Sequence, residues 1–161
     1  MSFLDLANKR QSVRKYLNKA VEKEKIERCL EAARIAPSAC NSQPWKYIVV
    51  NDAAIVQKVA KETYSPIISF NQFVQQAPVI VVIVIEKPKL LSQIGGRIKD
   101  EDFYLIDIGI SAEHFCLQAA EEGLGTCMLG WFNEKNIIHI LGIPSKKRIG
   151  LLITLGYADD E

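Results

Sequence analysis

The run Val79-Ile-Val-Val-Ile-Val-Ile85 is apolar at every position and β-branched throughout. Strand side chains point alternately to opposite faces, so a run without alternation describes a strand buried on both sides. β-Branching favours that extended state, and the segment is far shorter than the roughly 20 residues a membrane-spanning helix needs. Helical layers must therefore cover both faces of the sheet this strand joins.

The rest of the chain supplies those layers. Ser2 and Asp5 form a capping pair for a first helix carrying Phe3, Leu4, Leu6 and Ala7 and ending near Arg10. Ile26, Cys29, Leu30 and Ala33 recur at helical spacing opposite Lys23, Glu27 and Glu31. Asn51 and Asp52 offer a cap for a helix whose Ile55, Val56 and Val59 turn inward, and a helical, aromatic patch follows from Pro66 to Gln76. Between Leu105 and Glu122 two apolar stripes coexist, Ile108, Ala112, Phe115, Ala119 and Ile106, Ile110, Leu117, Leu124, as expected of a helix packed on the sheet or on a second subunit. Gly123-Leu-Gly125 ends it, Thr126 to Leu129 is a short strand, Asn133 caps another helix, and Ile149 to Leu155 is a buried strand. Helices and strands mix without strict βαβ alternation, so the fold class is α+β, a sandwich around one mixed, mostly antiparallel sheet. At 161 residues, one domain spanning 1–161 is expected.

Several function classes fall away. A formal charge of +1 creates no field that would draw nucleic acid or an anionic membrane, so neither is expected as a partner. With no secretory signal pattern, a cytoplasmic location is expected. Cys29, Cys40, Cys116 and Cys127 lack C-x-x-C spacing and read as free thiols, three of them in core segments. There is no G-x-S-x-G elbow, and His114 and His139 lie in helical segments without metal-ligand spacing. Gly123-Leu-Gly125 follows a helix, and Met128 stands where a dinucleotide fingerprint needs glycine.

Two constellations remain. Arg10-Gln-Ser-Val-Arg14 places two guanidiniums around a hydroxyl, a combination suited to phosphate, although basic residues at a helix C-terminus also complement the macrodipole. Ala36-Pro-Ser-Ala-Cys-Asn-Ser-Gln-Pro-Trp45 is a polar loop shaped by two prolines and anchored by a tryptophan, which either presents donors to a ligand or serves its own backbone. A phosphate clamp with no evident acid, base or nucleophile fits an enzyme whose cofactor carries the chemistry.

These two strings, with Asp107-Ile-Gly-Ile-Ser-Ala, Gly123-Leu-Gly-Thr-Cys127 leading to Gly130, and Leu155-Gly-Tyr157, resemble the nitroreductase family of FMN-dependent oxidoreductases over nearly the whole chain. The resemblance implies a three-layer α-β-α homodimer with shared flavin sites. It implies that Arg10, Gln11, Ser12 and Arg14 hold the FMN phosphate and ribityl chain, that Pro37, Ser38, Ala39 and Asn41 contact the flavin from the other protomer, and that Leu129, Gly130 and Trp131 face its reactive edge, where a backbone N–H would bond N5. Catalysis would use no side chain as acid or base. NADH or NADPH would reduce the flavin, and a small electron-poor aromatic, a nitroaromatic or quinone, would reoxidise it by a ping-pong mechanism. Phe70, Phe73, Phe103 and Trp131 are candidate walls for flat ligands. A non-catalytic flavin-binding or storage dimer, or a different flavin reaction such as reductive dehalogenation, are the alternatives.

The sequence departs from the family pattern at two places. Its final residues, Tyr157-Ala-Asp-Asp-Glu161, are acidic where relatives bring a further basic residue to the phosphate, so either Arg10 and Arg14 suffice or Lys146, Lys147 or Arg148 substitutes. The stretch from Lys87 to Asp102 is short and polar, and suggests a mobile cover over an open site.

Overall fold

The computed structural model of the chain describes residues 2–67, 69–87 and 102–159. Helix α1 (Phe3–Lys9) opens on the expected capping box: Ser2 Oγ accepts the Asp5 N–H at 3.1 Å, and Asp5 Oδ2 accepts the Ser2 N–H at 2.8 Å. Then come α2 (Lys23–Arg34), a 3-10 turn at Ala39–Asn41, β1 (Trp45–Val50), α3 (Ala53–Lys61) capped by Asp52, and a second 3-10 turn at Gln72–Gln76. The described chain continues with β2 (Val79–Ile85), α4 (Phe103–Glu121), β3 (Gly125–Leu129), α5 (Glu134–Ile140) capped by Asn133, and β4 (Arg148–Gly156).

The strands lie in the order β1-β2-β4-β3, each pair antiparallel, and Ser12 adds an isolated parallel bridge to Thr126. Strand β2 is internal, and its alternation sorts the core into two layers. Val79, Val81 and Ile83 meet Cys29 and Ala33 of α2 and Ala112 and Phe115 of α4. Ile80, Val82 and Val84 meet Val56, Val59 and Ala60 of α3 and Ile137 of α5. The uninterrupted apolar run is thus a strand with a helical layer on each side, and the architecture is the expected three-layer α-β-α sandwich.

One helix face differs from expectation, and a second is divided between core and surface. In α3 the buried set is Val56, Val59 and Ala60, while Ile55 is 37% exposed. Ala60 and Ile55 flank the Val56–Val59 stripe on opposite sides, each one turn from a buried residue, and it is the Ala60 flank that meets the core. The α4 stripe through Ile108 packs on the sheet; of the second stripe, Leu124 just past the helix is buried in the same core, while Ile106 is exposed and Ile110 and Leu117 are half-buried. One helix turns a single stripe to a flat sheet, so a second stripe can be buried only by something else.

The chain around residues 12–17 crosses the end of the sheet. Val13 donates its N–H to Thr126 O at 2.9 Å, Leu17 donates to Tyr157 O at 3.0 Å, and Asp159 donates to Lys15 O at 3.0 Å. Tyr16 closes this corner with its hydroxyl 2.7 Å from Thr154 Oγ1, and burial pushes that hydroxyl well above the usual phenol range.

Candidate functional site

Strand β3 forms one edge of the sheet, and the first candidate constellation sits at its Thr126 end. Arg10 ends α1, its N–H bonded to Leu6 O at 3.0 Å and its Nε 3.0 Å from Glu113 Oε1 of α4. Gln11, Ser12 and Arg14 follow, exposed, with Arg14 Nη1 donating to Ser12 O at 3.3 Å. Glycine is required beside them, because a Cβ on Gly125 would lie 2.5 Å from Val13 Cγ2 and 2.8 Å from its Cβ. Burial raises the Cys127 thiol above its ordinary value, while the Arg14 charge and the Ser12 side chain pull the other way. The corner therefore offers two guanidiniums and a hydroxyl on a pinned backbone.

At the other end of β3, Leu129 is buried and Gly130 and Trp131 are exposed. A Cβ on Gly130 would meet nothing within 4 Å, so the space in front of this backbone is open. Trp131 O accepts from Asn71 Nδ2 at 3.3 Å, and the Trp131 ring meets Phe70 edge-on, centroids 6.3 Å apart. Phe70 and Trp131 thus come together. Phe73 packs instead against the core on the α3 side of the sheet, and Phe103 is half-buried in the first turn of α4. A hollow of about 410 Å³ opens beside Gly130, between Tyr104, Leu105 and Phe132. From Thr126 to Gly130 the strand runs four steps, about 13 Å at the usual rise.

The proline-framed loop lies elsewhere in the chain, because it leads into β1 at the opposite edge. Three strand spacings, about 14 Å, separate that edge from β3. The loop is tightly wound: Cys40, Asn41 and Gln43 have φ of 54°, 48° and 47°, the left-handed region that non-glycine residues seldom adopt. Ser38 organises it, its Oγ accepting the Gln43 N–H at 2.9 Å and its carbonyl accepting the Asn41 N–H at 2.9 Å. Gln43 Nε2 donates back to Arg34 O at 3.1 Å, and Ala39 donates its N–H to Asp107 Oδ1 of α4 at 2.9 Å. Sequence reasoning missed the roles of Asp107 and Glu113 as partners of this loop and of Arg10.

The substitute basic residues do not reach the arginine corner within one chain. Lys147 pairs with Glu86, and Arg148 Nε lies 2.8 Å from Glu134 Oε1. Arg148 begins β4 while Gly156 at its far end pairs with Gly125. Eight residues of strand, about 26 Å, therefore separate Arg148 from that corner. The expected cover falls largely on residues 88–101, outside the described residues. Among the described residues there is no cluster of side chains that could hold a metal and no helix long and apolar enough to cross a membrane.

Comparison with known proteins bears on the whole chain. The sequence model of the nitroreductase family matches residues 7–70 and 68–157. A provisionally named NADH dehydrogenase/NAD(P)H nitroreductase of Archaeoglobus fulgidus is 32% identical over 156 residues, 94% of this chain and 83% of its own. A nitroreductase family protein from Clostridium novyi NT superposes with a TM-score of 0.87 at 32% identity, covering 99% of this chain and 87% of that one. An FMN-dependent nitroreductase from Clostridium difficile R20291 superposes with a TM-score of 0.82 at 30% identity, covering 99% and 89%.

Proposed function

The chain belongs to the nitroreductase family, and we propose that it is a homodimeric FMN-dependent oxidoreductase that takes reducing equivalents from NADH or NADPH and passes them to a small electron-poor aromatic such as a quinone or nitroaromatic. One observation carries this reading: the segment bridged to one end of β3 brings two arginines and a hydroxyl there, and an open, exposed glycine backbone follows the other end. That donor set fits a mononucleotide: the side chains at the Thr126 end would hold its anion, and the backbone at the Gly130 end would meet its ring.

Bound there, FMN would supply reversible two-electron chemistry. The residues' task is to bind and orient it. Arg10 and Arg14 offer planar forks for phosphate oxygens, Ser12 adds a hydroxyl, and the Gln11 backbone lies between them. The backbone of Leu129, Gly130 and Trp131 offers an N–H donor fixed in direction, which would polarise the ring edge without a titrating side chain. Phe70 and Trp131 form one wall of the site. Pro37, Ser38, Ala39 and Asn41 of the partner subunit would close it, since this loop and β3 occupy opposite edges of the sheet within one chain. An acceptor that uses the pocket after the nicotinamide has left gives ping-pong kinetics.

Purified protein mixed with FMN, NADPH and a quinone tests this in one cuvette. The expected result is bleaching of the bound flavin by NADPH and recovery of its absorbance when quinone is added. Flavin that binds without being reduced by either NADPH or NADH would leave a binding protein and sink the enzymatic reading.

A further inference from the structure

Asp107 is 4% exposed in the first turns of α4, and its Oδ1 accepts the Ala39 N–H at 2.9 Å. Among the described residues, Asp107 Oδ2 is the buried side-chain oxygen that has no hydrogen-bond partner. A buried carboxylate holding one backbone amide is a poor device for stability, because its desolvation is only partly compensated. What it holds is the start of the proline-framed loop.

Ser111, one turn further along α4, provides the contrast. Its Oγ donates to Ala33 O at 2.9 Å, near the end of α2, and lies 2.8 Å from the Tyr47 hydroxyl of β1. Helix α4 thus grips α2 and β1 through Ser111 and the intervening loop through Asp107. Just beyond the anchored amide lie the left-handed Cys40, Asn41 and Gln43. Such conformations persist where surrounding contacts over-determine them.

We propose that Asp107 is a positioning residue that, through the Ala39 N–H, fixes the loop shape one subunit presents to its partner's flavin. This rests on the flavin reading above. Ser38, Ala39 and Asn41 reach the cofactor only in the shape the anchor maintains. Ser111 holds the same two elements together without touching the loop, so its loss loosens the packing and leaves the presented surface intact.

The test titrates FMN by fluorescence against the wild-type dimer and the variants Asp107→Ala, Asp107→Asn and Ser111→Ala, with the thermal midpoint of each flavin-free protein and amide exchange at Ala39. Asp107→Ala is expected to weaken FMN binding about tenfold or more, the scale of a hydrogen bond to a charged group, and to expose the Ala39 amide to exchange. Asp107→Asn keeps a carbonyl acceptor and is expected to restore binding to within about threefold. Ser111→Ala should lower the thermal midpoint while FMN affinity stays within about twofold, since it spares the loop anchor. Should Asp107→Ala fail to fold, Ala39→Pro removes the donor from the other side and is expected to give the same loss of affinity. A lowered midpoint with unchanged FMN affinity in Asp107→Ala, or in Ala39→Pro where Asp107→Ala does not fold, would overturn the proposal. A wild-type protein that binds no FMN would bring down the flavin reading itself, a separate and recognisable failure.

Discussion

Arg10 of the α1 terminus meets Glu113 of α4 with Nε 3.0 Å from Oε1, both side chains partly open to solvent. The pair is joined through the inner nitrogen, so the forked end of the guanidinium keeps donor capacity for an anion. Arg10→Ala is expected to weaken FMN binding by about 1.5–3 kcal/mol, the worth of a charged hydrogen bond. Glu113→Gln retains an acceptor and removes only an exposed ion pair, worth about 0–1 kcal/mol, so affinity should change less than about fivefold. Fluorescence titration of the three proteins separates the effects; equal affinity for wild type and Arg10→Ala would move the phosphate elsewhere.

The approach of residues 10–14 to β3 depends on the missing side chain at Gly125. A methyl there would press on Val13 Cγ2 and Cβ, and the latter is too close to the backbone to swing away. Gly125→Ala should cost about 1–3 kcal/mol of stability, as overpacking does, and shift Ser12 off Thr126. Adding Val13→Gly removes both contacting atoms, so the double variant should recover FMN affinity, and much of the denaturation midpoint, relative to Gly125→Ala. No recovery would mean that Val13 is not the obstacle.

The sequence made some of this architecture legible and hid the rest for identifiable reasons. Val79–Ile85 announces its own burial, because an unbroken β-branched run has few other stable environments. The prolines at 37 and 44 mark a shaped loop, yet no glycine signals the positive φ at Cys40, Asn41 and Gln43. Asp107 and Ala39 are 68 residues apart, so local pattern could not join them, and the same holds for Arg10 and Glu113. Lys146, Lys147 and Arg148 were plausible phosphate ligands by charge alone. Only the register of β4, with Gly156 opposite Gly125, puts them at the far end of the strand from the arginine corner.

Glu122 links α2 to the end of α4, accepting Arg28 Nε at 2.5 Å and Nη2 at 2.8 Å. The Arg28 hydrogen bonds hold its carboxyl below the ordinary value of 4.5, against a smaller opposing push from burial. A depressed carboxylate pKa contributes stability that is present above the unfolded value and lost as pH falls through the folded one. The thermal midpoint should therefore drop as pH is lowered from 4.5 into the acid range, and Glu122→Gln should flatten that part of the profile. Midpoint curves of wild type and Glu122→Gln that stay parallel below pH 4.5 would show that the Arg28 pair exerts no such linkage.

A site shared between subunits has a signature that no single-chain site can reproduce. Arg10 and Asn41 lie toward opposite sheet edges, so a two-fold dimer would combine one subunit's Arg10 with the partner subunit's Asn41. Each of the homodimers Arg10→Ala and Asn41→Ala is then defective at both sites. Unfolding and refolding an equal mixture produces heterodimers in which both lesions fall on one site and the other is intact. Random pairing makes about half of the dimers heterodimers, so about a quarter of all sites should regain wild-type FMN affinity and NADPH oxidation. If Arg10 and Asn41 served the same flavin from one chain, every site would carry a lesion and mixing would restore nothing. Turnover measured before and after the mixed refolding, with each variant refolded alone as control, decides between the two arrangements.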